Sequence, residues 1–473
     1  MQVQQKIDRA PVTFRRCILL FSALFALCLL GCDKQSSDRP KSADSGSPPA
    51  KGPSVPLRVA WIGTEEDAKL LRRQWAAQSE LELDFKGFTE SQLSAESNVP
   101  CDLIVVPARS LGECIERKWI EPLPLSVDKA VHGSTRGSDA NEGTSDENHV
   151  TTTAMREQIQ FGKQRWGVSL GCSLPVLLSN GSFPAPPVGA GAEENWAWWQ
   201  AALEQAEKGH RPQGTSTSPV QSVTETQLTA RFLAIAAGLT DRDARYGLLL
   251  HSESLQPKLT ELHFIRAATI LRRLHKLNPS AGAVDGSWRH SWQAVAEGKI
   301  ALAVGVPQPE LDATQPVTTV QSSLLPEVAL TASSRSTWNS GESLIVCLSS
   351  SCRQSGKAEE FMKWLSQTDT RASLAQGNTH VDAGRRTFAP GSSADQALRN
   401  QEKAAGKPFV PCEPRAIGAP EYRAALEQQL KRIVTEDADV EAALKSAAEE
   451  WNAITTKLGK SAVKRSYQLS LGL

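Results

Sequence analysis

CDLIVVPARSLGECIERKWIEPL, residues 101–123, is the stretch on which the fold turns. Cys101 to Val106 is a near-continuous apolar run rich in branched side chains, the composition of a parallel strand covered on both faces. From Arg109 the chain reads as a returning helix. Upstream, the same unit appears twice more. Leu57 to Ile62 (LRVAWI) reads as a short strand and Gly63-Thr64 as a turn, after which Ala68, Leu71 and Trp75 fall at helical spacing. Leu81 to Phe85 (LELDF) alternates as a second strand, with a helical stretch after Thr89. Repeated strand-helix units predict an α/β layer on a mostly parallel sheet, joined by right-handed connections. Ligands of such sheets gather at the carboxyl ends of the strands. The loops to watch are therefore Gly63 to Glu66 and Pro107 to Ser110.

Downstream, Trp166 to Leu178 (WGVSLGCSLPVLL) has strand character broken by Gly171 and Pro175, which suits a segment passing between two bodies. Ala230 to Gly238 and Leu262 to Leu277 read as apolar-periodic helices, Gly298 to Gly305 and Ser343 to Leu348 as strands, and Ala358 to Leu365 as a helix. Near the end, Val440, Leu444, Ala447, Trp451 and Ile454 line one face of an amphipathic helix. Residues 128–153, 210–222 and 382–393 are polar and aperiodic and are expected to form surface excursions.

The first 31 residues read as an export signal: basic Lys6, Arg9, Arg15 and Arg16, then an apolar run from Cys17 to Leu30 of about 14 residues, against the ~20 that a helix needs to cross a bilayer. Leu29-Leu30-Gly31-Cys32 resembles the bacterial lipobox, which implies cleavage before Cys32 and lipidation of its sulfur. Residues 32–55 are Ser, Asp, Lys, Gly and Pro with little apolar content, the composition of a tether. The chain beyond residue 55 exceeds one compact core, so two lobes are expected. Lysine plus arginine balance aspartate plus glutamate at 52 each, which leaves no electrostatic footprint for nucleic acid. Of nine cysteines, Cys101, Cys114, Cys172, Cys347, Cys352 and Cys412 lie beyond the anchor. Strand and helix rises place Cys101 and Cys114 beyond the ~7 Å Cα limit of a disulfide. Cys347 and Cys352 can close only across a tight turn, and bonded and free forms both stay open.

The order of these landmarks resembles the family 1 extracellular solute-binding proteins, the largely sugar-specific receptors of ABC importers. Four stretches carry the likeness. Residues 101–123 are similar to the family's third strand, ligand loop and the helix that closes on a Trp-Ile-Glu-Pro-Leu end. WGVSLGCSLPVLLSNGSF, residues 166–183, is similar to its first interlobe crossing, with Ser179-Asn180 where Tyr-Asn is usual. SWQAVAEGKIALAVGVP, residues 291–307, resembles its "F-x-x-GKxAM" strand, with Val295 in place of the aromatic and Leu302 in place of the methionine. GESLIVCLSSSCRQSGKAEEFMKWLSQ, residues 341–367, resembles the return to the first lobe, and residues 419–454 resemble the C-terminal helices.

The resemblance implies a type II periplasmic-binding-protein-like fold, two α/β lobes that hinge on interlobe crossings near Gly171, Pro307 and Ser366. The first lobe is expected over 56–170 plus 308–366 and the second over 171–307 plus 367–473. It further implies a monomeric receptor outside the cytoplasm, anchored to the membrane by lipidated Cys32, that takes a small solute such as a sugar to an ABC permease.

Twelve tryptophans stand beside three tyrosines, and indole faces stack on sugar rings. Trp75, Trp364 and Trp451 sit on apolar helical faces and are assigned to the core. The candidate ligand residues are Trp61, Trp288 and Trp338, with Gly63, Thr64, Glu65, Arg109, Ser110, Cys172 and Ser173 at strand mouths and the crossing. No HExxH, G-x-S-x-G, P-loop or dinucleotide fingerprint occurs, so no catalytic residue, metal or cofactor is expected. A lipoprotein scaffold or receptor that kept the fold but not transport is the alternative, followed by an exported hydrolase.

Overall fold

The computed structural model describes residues 55–63, 65–132, 153–171, 175–179, 191–208, 228–240, 248–277, 302–307, 321–324, 337–339, 343–377, 409–411 and 413–473. Its first sheet grows from the expected units. Strand β1 (Leu57–Trp61) leads into helix α1 (Glu65–Ala76), β2 (Leu83–Gly87) into α2 (Glu90–Ala95), and β3 (Leu103–Pro107) into a 3₁₀ turn (Ala108–Ser110) and α3 (Leu111–Glu116). Helix α2 starts where the sequence provides for it, because Thr89 and Gln92 cap each other's backbone amides reciprocally. After α4 (Leu125–His132) and α5 (Thr153–Gln158) come the short strands β4 (Gln160–Phe161), β5 (Gln164–Arg165) and β6 (Val168–Ser169).

β1 pairs in parallel with both β2 and β3. Strand β11 (Leu344–Leu348), which arrives far later in the chain, inserts antiparallel between β3 and β6 and completes the order β2-β1-β3-β11-β6. Leu103 and Val105 point into one apolar cluster with Leu57, Val59 and Trp61, and Ile104 and Val106 into another with Cys101 and Cys347. The central strand is thus buried on both faces, as its unbroken apolar run requires.

The second core is mainly helical. Helices α6 (Ala192–Glu207), α7 (Leu228–Ala237) and α8 (Leu262–Leu277) pack beside a sheet in which β7 (Pro175–Ser179) lies between β8 (Leu302–Pro307) and β9 (Gln321–Leu324). Both pairings of β7 are antiparallel, so the parallel pattern of the first sheet does not recur among the described strands here. The short strip of β10 (Thr337–Asn339) against β12 (Phe409–Pro411) is parallel. Past β11, α9 (Ser355–Leu365) covers the first sheet, and α10 (Thr368–Gly377) follows.

Helix α10 departs from the expected boundary at Ser366. It packs on α1, with Leu374 in the first core and the Gln74 amide donating to Ser373 Oγ at 2.7 Å. Arg371 reaches from it to the carbonyls of Ser169 and Leu170 at the end of β6. Apolar burial on α1 decides its place, and sequence position alone does not reveal that. The chain closes with α11 (Ala419–Thr435), α12 (Val440–Leu458) and α13 (Lys460–Ser470), whose inward faces carry Tyr422, Trp451 and Tyr467 into the second core. Ser54–Leu473 form one compact unit. No helix among the described residues is long and apolar enough to cross a membrane.

Cys101, Cys114, Cys347 and Cys352 are free thiols. Cys347 lies in the cluster on one face of the sheet while Cys352 packs against the cluster on the other, which separates them. Burial pushes the Cys101 thiol up to about 11 and those of Cys114 and Cys347 higher, so all three stay protonated and unreactive. Cys32, Cys172 and Cys412 lie outside the described residues.

Candidate functional site

Because β1, β2, β3 and β6 point the same way, their carboxyl ends share one edge of the first sheet. Backbone bonds knit that edge: Ile62 N–H to Val105 O at 2.9 Å, Phe88 N–H to Trp61 O at 2.9 Å, Ala108 N–H to Ser343 O at 2.8 Å and Leu170 N–H to Leu344 O at 2.9 Å. From it emerge Gly63, Glu90, the 3₁₀ turn and Gly171, the last described residue before the chain passes to β7.

The candidate ligand residues fare differently at this edge. Trp61 is 2% exposed, and its indole meets Phe85 edge-on at 5.6 Å within the first core, so it belongs to the sheet and presents no open stacking face. Strand alternation explains this: with Leu57 and Val59 on the same side, Trp61 follows two positions on. Gly63 is exposed, yet a Cβ there would come 2.7 Å from the indole ring, so the residue is glycine to let Trp61 pack beneath it. Glu65 is exposed at the start of α1 and pairs with Lys69 at 3.0 Å, an arrangement that also suits the positive end of the helix. Trp338 lies in β10. Thr64, Cys172, Ser173 and Trp288 fall outside the described residues.

Arg109 and Ser110 are in the 3₁₀ turn and both are buried. The Arg109 guanidinium does not stand open to a ligand. It forks onto Glu90, with Nε donating at 3.2 Å and Nη2 also donating, and it faces Glu413 Oε2 at 3.8 Å. Glu413 in turn takes a hydrogen bond from Arg423 of α11, which also lies 3.9 Å from Glu427. Two arginines and two carboxylates therefore alternate across the edge, their side chains only 5 to 16% exposed.

Beside this row the chain after residue 412 is pressed onto α3. A Cβ on Gly112 would sit 1.9 Å from Arg415 O, Glu113 accepts the Gly418 N–H at 2.8 Å, and Arg415 donates to Gln158 O and Ser470 O at 2.7 Å each. Glu90, Glu413 and Arg423 carry no functional signal in the sequence. Glu90 looks like an ordinary first-turn acid, and the other two lie some 300 residues from Arg109 with nothing local to connect them.

Among the described residues no group of histidines, cysteines and carboxylates is placed to hold a metal ion. What the edge offers is a row of charged groups, already engaged with one another, lying between apolar clusters of the two cores.

No family model matches the chain, and no curated protein does. Solved structures do. The sugar-binding protein MalE from Xanthomonas citri shares 13% identity with it at a TM-score of 0.57, over 85% of this chain and 98% of that one. An ABC transporter solute binding protein from Agrobacterium vitis, with bound D-mannitol, shares 13% at 0.56, over 85% and 99%. The GacH receptor of Streptomyces glaucescens, solved unliganded and with acarbose, shares 10% at 0.55, over 85% and 99%. Spanning nearly the whole of each of these proteins, the chain has the two-lobe fold of the extracellular solute-binding proteins of ABC transporters.

Proposed function

We propose that the chain is a receptor outside the cytoplasm that captures a small solute, a carbohydrate above all, between its two lobes, without turning it over, and delivers it to an ABC-type permease. The observation that carries this reading is the likeness to GacH, MalE and the mannitol-bound protein over 85% of the chain, each named for sugar, acarbose or polyol binding. Lipidation of Cys32 and a tether over residues 32–55 would keep the receptor at the membrane face where a permease works. Solute contacts are proposed at Gly63 to Glu65 and near Cys172, Ser173, Trp288 and Trp338. To shift the lobes a solute must touch both of them, since a ligand with equal affinity for the open and closed states moves neither.

One observation favours the alternative of a receptor or scaffold that no longer transports: Trp61 is buried and Arg109 is already engaged by Glu90 and Glu413. Isothermal titration against mono- and oligosaccharides, run beside a product assay, separates the readings. Heat without turnover is the expected result, and absence of heat across the panel would refute solute capture.

A further inference from the structure

We propose that helix α13 is a brace that ties the first sheet's apolar core to the second core, so that the two unfold as one unit. Its two sides meet different neighbours. Val463 and Tyr467, one turn apart, are buried in the second core, where the Tyr467 hydroxyl donates to Leu250 O at 3.2 Å. Arg465 and Leu469, also one turn apart, lie two positions on from these, which at 3.6 residues per turn is about 200° around the helix. Arg465 pairs with Glu116 at the end of α3 at 3.0 Å, and Leu469 packs on the first sheet's cluster of Ile104, Leu111, Ile159 and Phe161.

Hydrogen bonds fix the helix on its first-sheet side as well. The Gly162 N–H donates to Leu469 O at 2.8 Å. The Arg415 guanidinium spans Gln158 O and Ser470 O at 2.7 Å each, a cation set between the carboxyl ends of α5 and α13, where helix dipoles favour it. Ser466 Oγ accepts the Ile417 N–H at 3.1 Å, and this same segment of chain lies on α3 through Gly112 and Glu113. If α13 came away from the first core, buried groups among these would lose the partners named, and leaving a buried polar group unsatisfied costs more than making the bond contributes. A helix held on one side alone opens locally ahead of the whole, whereas one held on both sides opens only with the elements it joins.

The brace does not depend on the solute-receptor reading, and its test uses no solute. Scanning calorimetry and amide exchange are measured on the full-length protein, on Tyr467→Ala and Leu469→Ala, which each cut one side of the brace, and on Leu374→Ala, which opens a cavity in the cluster on the other face of the first sheet. The wild type should melt in a single transition with equal calorimetric and van't Hoff enthalpies, and the α13 amides should exchange as slowly as those of α11. Cutting either side should speed α13 exchange about tenfold and pull the two enthalpies apart, while Leu374→Ala should lower the melting temperature and keep them equal. Where an alanine variant fails to accumulate, Tyr467→Phe, which loses the bond to Leu250 O and keeps the ring, should speed exchange of the same amides. Two transitions in the wild type, α13 amides that exchange ahead of those of α11, unchanged exchange in the brace variants, or an equal loss of cooperativity in Leu374→Ala overturns the brace.

Discussion

The two ends of the first sheet carry the same chemistry and use it differently. At the amino ends of β1 and β3, Arg58 forks onto Asp102 with Nε and Nη2 at 3.0 and 2.8 Å, and the same carboxylate accepts the backbone N–H of Arg58 at 3.0 Å and of Arg353 at 2.8 Å. Each of these partners lies on the first sheet or in the turn after β11, so the knot ties strands to that turn. At the carboxyl ends, Arg109 and Glu90 begin an equivalent knot, but Glu413 and Arg423 complete it from a segment some 300 residues later in the chain. The first pair is closed among neighbours of one sheet and serves that sheet; the second is completed by a segment distant in sequence and ties that segment to the sheet's carboxyl edge.

The largest test of this contrast is Trp61→Ala. If the mouth is as firmly built as the base, truncating an indole that is 2% exposed should cost about 3–5 kcal/mol of stability in a denaturant titration. A variant that unfolds like the wild type and loses only sugar affinity would make Trp61 a ligand surface and dissolve the comparison. Next comes Gly112→Ala, where the added methyl meets a backbone carbonyl that cannot swing aside. About 3 kcal/mol of destabilisation is expected. Gly356→Ala, at a helical position with nothing within 4 Å of the new atom, should change stability by no more than about 1 kcal/mol.

The sheet is legible in the sequence because its signals are local. Cys101 to Val106 reads as a doubly covered strand from composition alone, Leu262 to Leu277 shows its helical period, and Thr89 with Gln92 marks a helix start. The edge is legible as a place and not as a set of residues. Topology puts the loops after β1 and β3 together, but Trp61 needs its strand phase counted from Leu57 to be assigned inward. The partners of Arg109 need a contact across some 300 residues, which no period or motif encodes. Helix α10 escapes the sequence for the same reason: its length and composition suit either lobe, and only the packing of Leu374 on α1 decides between them.

A narrower test probes the base of the sheet through acid. Burial alone would raise the Asp102 carboxyl, but the Arg58 guanidinium and the backbone amides of Arg353 and Arg58 outweigh it and hold the group at about 2, below its ordinary 3.8. A carboxylate depressed by folding binds its proton more readily in the unfolded chain. Its contribution is therefore complete above pH 3.8 and drains away as pH falls through 2. At 1.36 kcal/mol per unit the shift amounts to roughly 2 kcal/mol. Other carboxylates titrate over the same range, so the informative quantity is a difference. Asp102→Asn should be less stable than wild type at pH 6, and the gap should narrow by roughly 2 kcal/mol between pH 4 and pH 2 as the wild type loses what the variant never had. Parallel stability curves over that interval would mean that Asp102 is not held by its charge, and that the base of the sheet stands on packing alone.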